Sequence, residues 1–197
     1  MIERMTRTHP VMQVAQILYR TDDFIFPFLF GKQEMGVKRL SKLLVQDNNS
    51  FSYQHIHVAV DKEIVGVLLE HDTHTRNHDF KAFFKAFGFF GLLWLAIKTI
   101  ILAPLTFRSS KEGRYIQCLC VHPSHRGQGI GSSLLDDAFH RADKEGITTI
   151  ELDVSIDNKP AQKLYEKFHF ISIKTRISWF HRKKQVRMIK HQPFMSS

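Results

Sequence analysis

Residues 121–131 read Val-His-Pro-Ser-His-Arg-Gly-Gln-Gly-Ile-Gly, directly after an apolar run that ends at Val121. Gly127, Gly129 and Gly131 carry no Cβ, so the backbone can turn tightly there and approach a bulky ligand closely. The first N–H groups of a following helix have no partner within that helix, and the helix dipole makes them attractive to anions. Arg126 adds a positive charge whose donors suit phosphate. The stretch therefore predicts a strand, an anion-binding turn and a helix.

The spacing of the glycines distinguishes between phosphate-binding patterns. It does not fit the dinucleotide fingerprint G-x-G-x-x-G, and no Gly-Lys-Ser/Thr follows, as a P-loop requires. It does fit Arg/Gln-x-x-Gly-x-Gly/Ala, read as Arg126-Gly127-Gln128-Gly129-Ile130-Gly131. This resembles motif A of the GCN5-related N-acetyltransferase (GNAT) superfamily, whose members bind acetyl-CoA. The alternative is a glycine-rich helix entry that binds no ligand.

A second stretch, residues 150–170, resembles motif B of the same superfamily. It reads Ile-Glu-Leu-Asp-Val-Ser-Ile-Asp-Asn-Lys-Pro-Ala-Gln-Lys-Leu-Tyr-Glu-Lys-Phe-His-Phe. Asn158 is a favoured N-cap residue, and Pro160 is tolerated in the first helical turn. The apolar face of the predicted helix consists of Ala161, Leu164, Tyr165 and Phe168. The two motifs together cover residues 115–172 and occur in the order typical of the superfamily.

The chain departs from this motif at His169, where the superfamily usually has Gly. A Gly there would end the helix in a left-handed conformation. His adopts that conformation more readily than most residues, though less readily than Gly. The departure leaves open where the helix ends and does not bear on the function.

The resemblance implies a role for each part of the two motifs. Backbone of the predicted strand, the glycine turn and the helix start would hold CoA, together with two residues of motif B. The implied cofactor-binding residues are Leu119, Cys120, Val121, Arg126, Gly127, Gln128, Gly129, Ile130, Gly131, Ser132, Asn158 and Tyr165. Tyr165 would also act as the general acid that protonates the departing thiolate. Without the resemblance, Tyr165 is simply one residue of an amphipathic helix.

The base that would accept the amine proton has two candidates. Asp153 matches a carboxylate that serves as base in peptide-acetylating members, but an aspartate is a weak base unless its surroundings disfavour the ionised form. Many members use a chain of water molecules instead. Gln117 stands where some members carry a carboxylate, so that third route is absent. From the residues alone, the alternative is that Asp153 is a strand residue bonded to a neighbouring loop.

The distribution of strand and helix signals predicts an α/β protein. The predicted strands cover residues 2–8, 55–60, 64–70, 115–121, 148–154, 170–177 and 185–190. The predicted helices cover 10–20, a segment starting at 21–23, 33–45, 132–144 and 159–168. The implied architecture is a GNAT-like central mixed, mostly antiparallel β-sheet flanked by helices, with a helical apolar insertion before the CoA-binding strand.

Length and composition fit one packed domain. The chain has 197 residues, of which 43% are hydrophobic, and shows no repeat, low-complexity linker or signal-peptide pattern. We expect a single acetyltransferase domain over residues 1–197, with an inserted helical segment at 71–113 and a basic C-terminal hairpin at 171–197. Cys118 and Cys120 lie on one face of a predicted strand, too constrained to bridge, which predicts reduced thiols and a cytoplasmic protein.

The net charge of +9 suits an anionic ligand such as CoA, and also nucleic acid or a membrane surface. The chain after His169 carries no acidic residue. Its cations are Lys174, Arg176, Arg182, Lys183, Lys184, Arg187 and Lys190. We interpret this tail as a solvated edge hairpin whose cations prevent aggregation, and we expect no nucleic-acid partner.

The segment 71–113 exceeds the minimal plan of the superfamily. Phe80, Phe83, Phe84 and Phe87 recur with helical spacing, and residues 89–97 are apolar throughout. The uninterrupted apolar run, 86–97, is shorter than the roughly 20 residues that a membrane span needs, so no transmembrane span is expected. Three interpretations remain: a lid over the acceptor site, a homodimer interface, or a helix at a membrane surface.

Two further groups of residues have competing interpretations. His71, His74 and His78 would share one helix face and could hold a metal, but no fixed-spacing motif supports this, so we interpret them as polar loop residues and expect no metal. The aromatic run Phe24, Phe26, Phe28 and Phe30 is either core or the lining of a substrate pocket.

The leading hypothesis is an acetyl-CoA-dependent N-acetyltransferase that moves an acetyl group to a primary amine by direct attack in a ternary complex. The sequence does not identify the acceptor beyond a small-molecule or peptide amine. Two alternatives belong to other classes. One is a GNAT-fold module that binds acyl-CoA without turnover, and the other is a basic protein that binds nucleic acid or a membrane surface.

Overall fold

The computed structural model describes residues 1–73, 80–105, 113–177 and 183–192. Its strands are β1 (Ile2–Arg4), β2 (Ile56–Asp61), β3 (Glu63–Asp72), β4 (Arg114–Val121), β5 (Thr149–Ser155), β6 (Ile171–Ile177) and β7 (Lys184–His191). Its α-helices are α1 (Val11–Tyr19), α2 (Ile25–Phe30), α3 (Gln33–Leu44), α4 (Phe80–Leu102), α5 (Ile130–Lys144) and α6 (Lys159–Lys167). Short 3₁₀ turns lie at Tyr53–His55, Ala103–Leu105 and Pro123–His125.

The strands form one seven-stranded sheet in the order β1-β2-β3-β4-β5-β7-β6. β1 with β2, β2 with β3, β5 with β7 and β6 with β7 pair antiparallel, whereas β4 and β5 pair in parallel. A parallel pair needs a crossover, and here α5 lies in the connection between β4 and β5. The predicted fold class, a mixed and mostly antiparallel sheet flanked by helices, is confirmed.

The chain divides into two compact units. The first contains the described residues of Met1–Leu69, 80–100 and Cys118–Leu134. Its core is aliphatic and aromatic, and the fully buried side chains include Leu18, Phe30, Leu40, Leu43 and Ile56. The helices α1 and α3 pack against each other within it.

The aromatic run of α2 is divided between the core and its border. Phe26 and Phe30 are buried, and the Phe30 ring centroid lies 5.3 Å from that of Phe51. Phe24 and Phe28 are half-buried and stack on each other at 5.8 Å. The predicted helix start at 21–23 is shifted, because α2 begins at Ile25 while the Asp22 carboxylate accepts hydrogen bonds from the N–H groups of Phe24 and Ile25. Half of the run is therefore core.

The second unit contains the described residues of 70–73, 101–105, 113–117, 135–177 and 183–192. Two groups of buried ion pairs lie within it. Arg114 donates to Glu70 at 3.0 Å, and Arg141 donates to the same Glu70 oxygen at 2.9 Å. Arg187 donates to Glu151 at 2.6 Å and to Asp153 at 2.5 Å.

The C-terminal hairpin differs from the prediction in one strand. β6 is an exposed edge strand, as expected, but β7 lies between β5 and β6 and is buried from Gln185 to Ile189. Arg187 is therefore not a solvated cation but a buried one, 2% exposed. The prediction was wrong there because the position of a strand in a sheet depends on non-local pairing. Arg182 lies outside the described residues.

The inserted segment contains the predicted helix, α4, and its path is broken once. Gly88 has φ 70° and ψ 177° within the otherwise helical stretch. By length and composition, Phe80–Leu105 is long and apolar enough to cross a membrane. The argument from length against a transmembrane span was therefore wrong, because it counted only the uninterrupted run 86–97 and not the whole helical stretch. The absence of a span stays a prediction.

Candidate functional site

The glycine turn has the geometry that its sequence predicts. Gly127 and Gly129 have φ values of 77° and 81°, in the left-handed region that favours glycine. A Cβ placed on either glycine would meet no atom within 4 Å. The glycines are therefore required by the turn itself, and the space in front of the turn is open.

The helix α5 begins directly at this turn. It starts at Ile130 and carries no acidic residue in its first turn, so the positive end of the helix dipole is not neutralised there. Gly131 lies inside the first turn, next to Ser132, and the N–H of Ser133 donates to the Gly129 oxygen at 3.0 Å. The N–H groups ahead of Ser133 have no acceptor within the helix and remain donors for an anion.

Arg126 and Gln128 flank the turn with exposed side chains. Arg126 Nε donates to the Val121 oxygen at 3.3 Å, and Gln128 Nε2 donates to the Ser124 oxygen at 3.4 Å. Both bonds are long and weak, so both side chains can change partner when an anion binds. An exposed guanidinium beside the open turn suits a phosphate ligand.

One residue that positions the turn was not singled out from the sequence. A Cβ on Gly66 of β3 would lie 2.9 Å from Ile130 and 3.0 Å from Leu134, the side chains of the first turns of α5. The absence of a side chain thus lets β3 and α5 pack closely. A glycine inside an apolar strand indicates such an approach, and that was the available signal.

The strand β4 precedes the turn and carries three of the predicted residues. Its even-numbered residues are buried and its odd-numbered ones half-buried, so Cys118 and Cys120 share the buried face. Both cysteines are free, as predicted. Burial raises the pKa of both thiols; Thr21 opposes this shift, as does Arg126 at Cys120. The parallel pairing with β5 runs from Arg114 to Ile116.

The second unit contains the motif B residues. Asn158 caps α6, because its Oδ1 accepts from the Ala161 N–H at 3.2 Å, and Pro160 occupies the first turn as predicted. Tyr165, in the last turn of α6, is buried at 7% exposure, and its ring centroid lies 5.7 Å from that of Phe170. His169 has φ 63°, the left-handed conformation usually reserved for glycine.

Asp153 of β5 is already engaged by two donors. Arg187 donates to both of its oxygens, at 2.5 and 3.0 Å, and the Tyr115 hydroxyl donates at 3.0 Å. The partners lie on strands of the same unit and not on a loop. Neither was anticipated from the sequence, because strand neighbours cannot be read from local pattern.

The histidines considered for a metal are only partly described. His71 lies near the end of β3 with its ring 5.5 Å from that of Tyr115, whereas His74 and His78 lie outside the described residues. Within residues 1–73, 80–105, 113–177 and 183–192 no cluster of three metal-ligating side chains is found. The absence of a metal stays a prediction.

A strand of a mixed sheet, a glycine turn with positive φ values and a helix that begins at this turn form the arrangement that the acetyltransferase resemblance predicts. The chain matches the model of the acetyltransferase (GNAT) family over residues 18–170, and it belongs to this family.

Similar curated proteins match only part of their own length. An uncharacterised N-acetyltransferase of Methanocaldococcus jannaschii is 32% identical over 76 residues, which are 39% of this chain and 34% of that protein. N-alpha-acetyltransferase 30 of Saccharomyces cerevisiae is 32% identical over 66 residues, 34% of this chain and 38% of that protein. The matched segments thus span well under half of these relatives.

Solved structures match over nearly the whole chain. An N-acetyltransferase from Staphylococcus aureus Mu50 has a TM-score of 0.69 at 22% identity and covers 96% of this chain and 99% of that chain. The NatC complex bound to Gag peptide and CoA has a TM-score of 0.58 at 15% identity, with 98% of each chain covered. These similarities show the fold.

Proposed function

We propose that the chain transfers an acetyl group from acetyl-CoA to a primary amine by direct attack in a ternary complex. The observation that carries this proposal is the open turn at Gly127 and Gly129 in front of the α5 N-terminus. Backbone N–H groups and a helix dipole at such a turn favour a pyrophosphate. Membership of the acetyltransferase family and a CoA-bound structural relative support acetyl-CoA as the donor.

The proposed donor site uses the residues that the sequence indicated. The pyrophosphate binds the N–H groups from Gly127 to Ser132 and the Arg126 guanidinium, and Gln128 lines the turn. Pantetheine pairs with the backbone of Leu119, Cys120 and Val121. The resemblance to the superfamily implies that Asn158 and Tyr165 of the second motif also contact the cofactor.

The proposed reaction forms one bond and breaks another. The amine nitrogen attacks the thioester carbonyl carbon, the new N–C bond forms and the C–S bond breaks. A backbone N–H at the end of β4 stabilises the oxyanion, which is worth roughly 10²–10³ in rate for one well-placed donor. The Tyr165 hydroxyl gives its proton to the departing thiolate, and a base takes the proton that the amine loses.

The base is either Asp153 or a water molecule, as the sequence left it. The hydrogen bonds that Asp153 accepts from Arg187 and Tyr115 favour water, because an amine proton would have to compete with three existing hydrogen bonds for the carboxylate oxygens. The acceptor we propose is a small-molecule or peptide amine. A chain of net charge +9 repels polycationic acceptors such as polyamines.

Binding of acetyl-CoA is tested by calorimetry on the wild type and on Gly129→Glu. We expect saturable binding that the substitution removes, because it places a carboxylate at the pyrophosphate position. Gly146→Glu is the matched control, since Gly146 also has a positive φ, 71°, but lies at the end of α5. Binding that survives in Gly129→Glu, or none in the wild type, would overturn the proposed donor site.

Turnover is tested by following free CoA thiol while amine acceptors are screened, including peptides with free N-termini. Tyr165→Phe is expected to lower kcat by about 10²–10⁴, with acetyl-CoA binding retained, because it lacks the proton for the thiolate. If water is the base, Asp153→Asn is expected to keep most of the wild-type kcat. If Asp153 is the base, the same variant is expected to lose most of it. Binding without turnover on any amine would instead identify a non-catalytic acyl-CoA-binding module.

A further inference from the structure

We propose that the exposed apolar face of α4 docks on the surface of a bilayer that contains anionic lipids. After Gly88 this helix exposes Phe89, Phe90, Leu93, Trp94, Ile97 and Ile100. Phe90 is 83% exposed and Trp94 is 60% exposed. The proposal goes beyond acetyl transfer and does not depend on it.

The exposed side chains form one continuous face. With 3.6 residues per turn, the spacing of these six positions places them within about 140° of the helix circumference. In the most apolar stretch of 18 residues only 17% is buried. Contiguous apolar surface of this kind is rare on monomeric soluble proteins and marks a contact with a partner or a membrane.

The opposite face of the helix is fixed to the protein. Ala82, Ala86, Phe87 and Leu95 belong to the buried core of the first unit. The Phe87 ring lies 5.6 Å from that of Phe30, and the Arg39 guanidinium lies 4.7 Å from it. A helix held in this way, with a left-handed break at Gly88, would have to leave the core in order to cross a bilayer. It can lie flat on one with its packing intact.

Charge favours lipid over a second copy of the chain. The stretch from Phe80 to Leu105 contains no acidic residue, and the exposed Lys81 and Lys85 lie one turn apart beside the exposed Phe80 and Phe84. Lysines next to apolar side chains attract anionic headgroups. A dimer through this face would instead bring together the lysines of two chains that each carry +9.

The aromatic side chains of this face also favour a bilayer surface as its partner. Tryptophan is enriched where a membrane meets water, since its ring is apolar and its N–H is polar. Trp94 lies about midway along the length of the exposed face and at its edge around the helix, one turn from Phe90 and less than one turn from Ile97. If the exposed face enters the bilayer only as deep as these rings, the rings are buried in lipid. The backbone N–H and C=O groups of α4 need no new partner, because they are already bonded within the helix.

Trp94 provides a direct probe of docking. The chain has 2 tryptophans, so Trp179→Phe leaves Trp94 as the single fluorophore. Vesicles of phosphatidylcholine mixed with phosphatidylglycerol are expected to shift its emission to the blue, and brominated lipids are expected to quench it. Vesicles of phosphatidylcholine alone are expected to bind more weakly, and salt is expected to reduce the difference.

Variants identify the side chains responsible, measured by co-sedimentation with the same vesicles. Phe89→Ser with Phe90→Ser is expected to weaken binding at least about tenfold, because two large apolar side chains are lost. Lys81→Gln and Lys85→Gln are each expected to weaken it about fivefold on the mixed vesicles. Ile171→Ser is the matched control, since Ile171 is also exposed, at 59%, but lies on β6.

Four results would overturn the proposal. Vesicle binding could be absent from the wild type, or unchanged in the phenylalanine variant while circular dichroism shows that it is folded. Sedimentation equilibrium could show a dimer that the same variant abolishes, which would make this face a contact between copies. Protein that stays bound when the vesicles are washed at high salt and high pH would indicate a helix that spans the bilayer.

Discussion

His169 determines how the helix that carries Tyr165 ends. Its N–H donates to the Glu166 oxygen at 2.9 Å, and the Phe170 N–H donates to the Tyr165 oxygen at 3.0 Å. These two bonds form a Schellman motif with His169 in the left-handed position. The contact between the Phe170 and Tyr165 rings completes it. The last turn of α6, and with it Tyr165, is therefore held by a residue in an unfavourable backbone conformation.

Replacing His169 by glycine is expected to stabilise the protein by about 1 kcal/mol, because glycine adopts the left-handed conformation without steric cost. The gain would be measured as a higher midpoint of urea denaturation with an unchanged slope. His169→Ala should give no gain, since alanine adopts the left-handed conformation no more readily than histidine. Equal stability of the glycine and alanine variants would contradict this account.

Some properties of the candidate site residues can be predicted from the sequence and others cannot. Gly127 and Gly129 were predictable because their spacing requires a local backbone conformation, and both have positive φ. The donors to Asp153 were not predictable, because Tyr115 and Arg187 lie on other strands and donate to the Asp153 carboxylate across the sheet. Local conformation can be read from neighbouring residues, whereas contacts across a sheet depend on which strands pair.

The same distinction holds at the scale of helices and strands. α3 was predicted at 33–45 and is found at Gln33–Leu44, because its apolar spacing is local. β7 was correctly predicted as a strand, but its place between β5 and β6 was not. The break at Gly88 was also missed, because a single glycine in an apolar helical pattern does not by itself interrupt it.

Because β7 lies inside the sheet, Arg187 is a buried cation that neutralises two carboxylates. It is 2% exposed and pairs with Glu151, itself 4% exposed, and with Asp153. Arg187→Met would leave these carboxylates without their cation and is expected to destabilise the protein by about 3–5 kcal/mol. Chemical denaturation measures the loss. Lys184→Met on the same strand is the control, expected to stay within about 0.5 kcal/mol because Lys184 is exposed.

A loss below about 1 kcal/mol in Arg187→Met would show that water reaches the two carboxylates and that β7 behaves as an edge strand. The variant also bears on the chemistry. If Asp153 were the base, freeing its oxygens from Arg187 would change the pH profile of kcat; if water is the base, the profile should keep its shape.

For the whole molecule, the buried thiols of β4 predict how stability depends on alkaline pH. Burial raises the pKa of Cys118 and Cys120 above the ordinary value of 9.0. Above about pH 9 the unfolded chain loses these protons while the folded chain keeps them, so the unfolded state binds fewer protons. The free energy of unfolding is therefore expected to be independent of these thiols below about pH 8 and to fall as the pH rises beyond about 9.

Urea denaturation at several pH values, on the wild type and on Cys118→Ala with Cys120→Ala, isolates this contribution. The variant should be less stable near neutral pH, because it loses two buried sulfurs, and its stability should decline less steeply between about pH 8 and about pH 10.

The comparison with the variant is needed because other groups also titrate at alkaline pH. Burial lowers the pKa values of Lys98 and Lys190, so these lysines raise the free energy of unfolding as the pH approaches their ordinary pKa of 10.5. Tyr19, whose pKa burial raises from 10.0, adds a decline only above that value, so Tyr19→Phe should leave the lower window unchanged. Parallel curves for wild type and double variant would mean that solvent reaches the thiols in the folded protein.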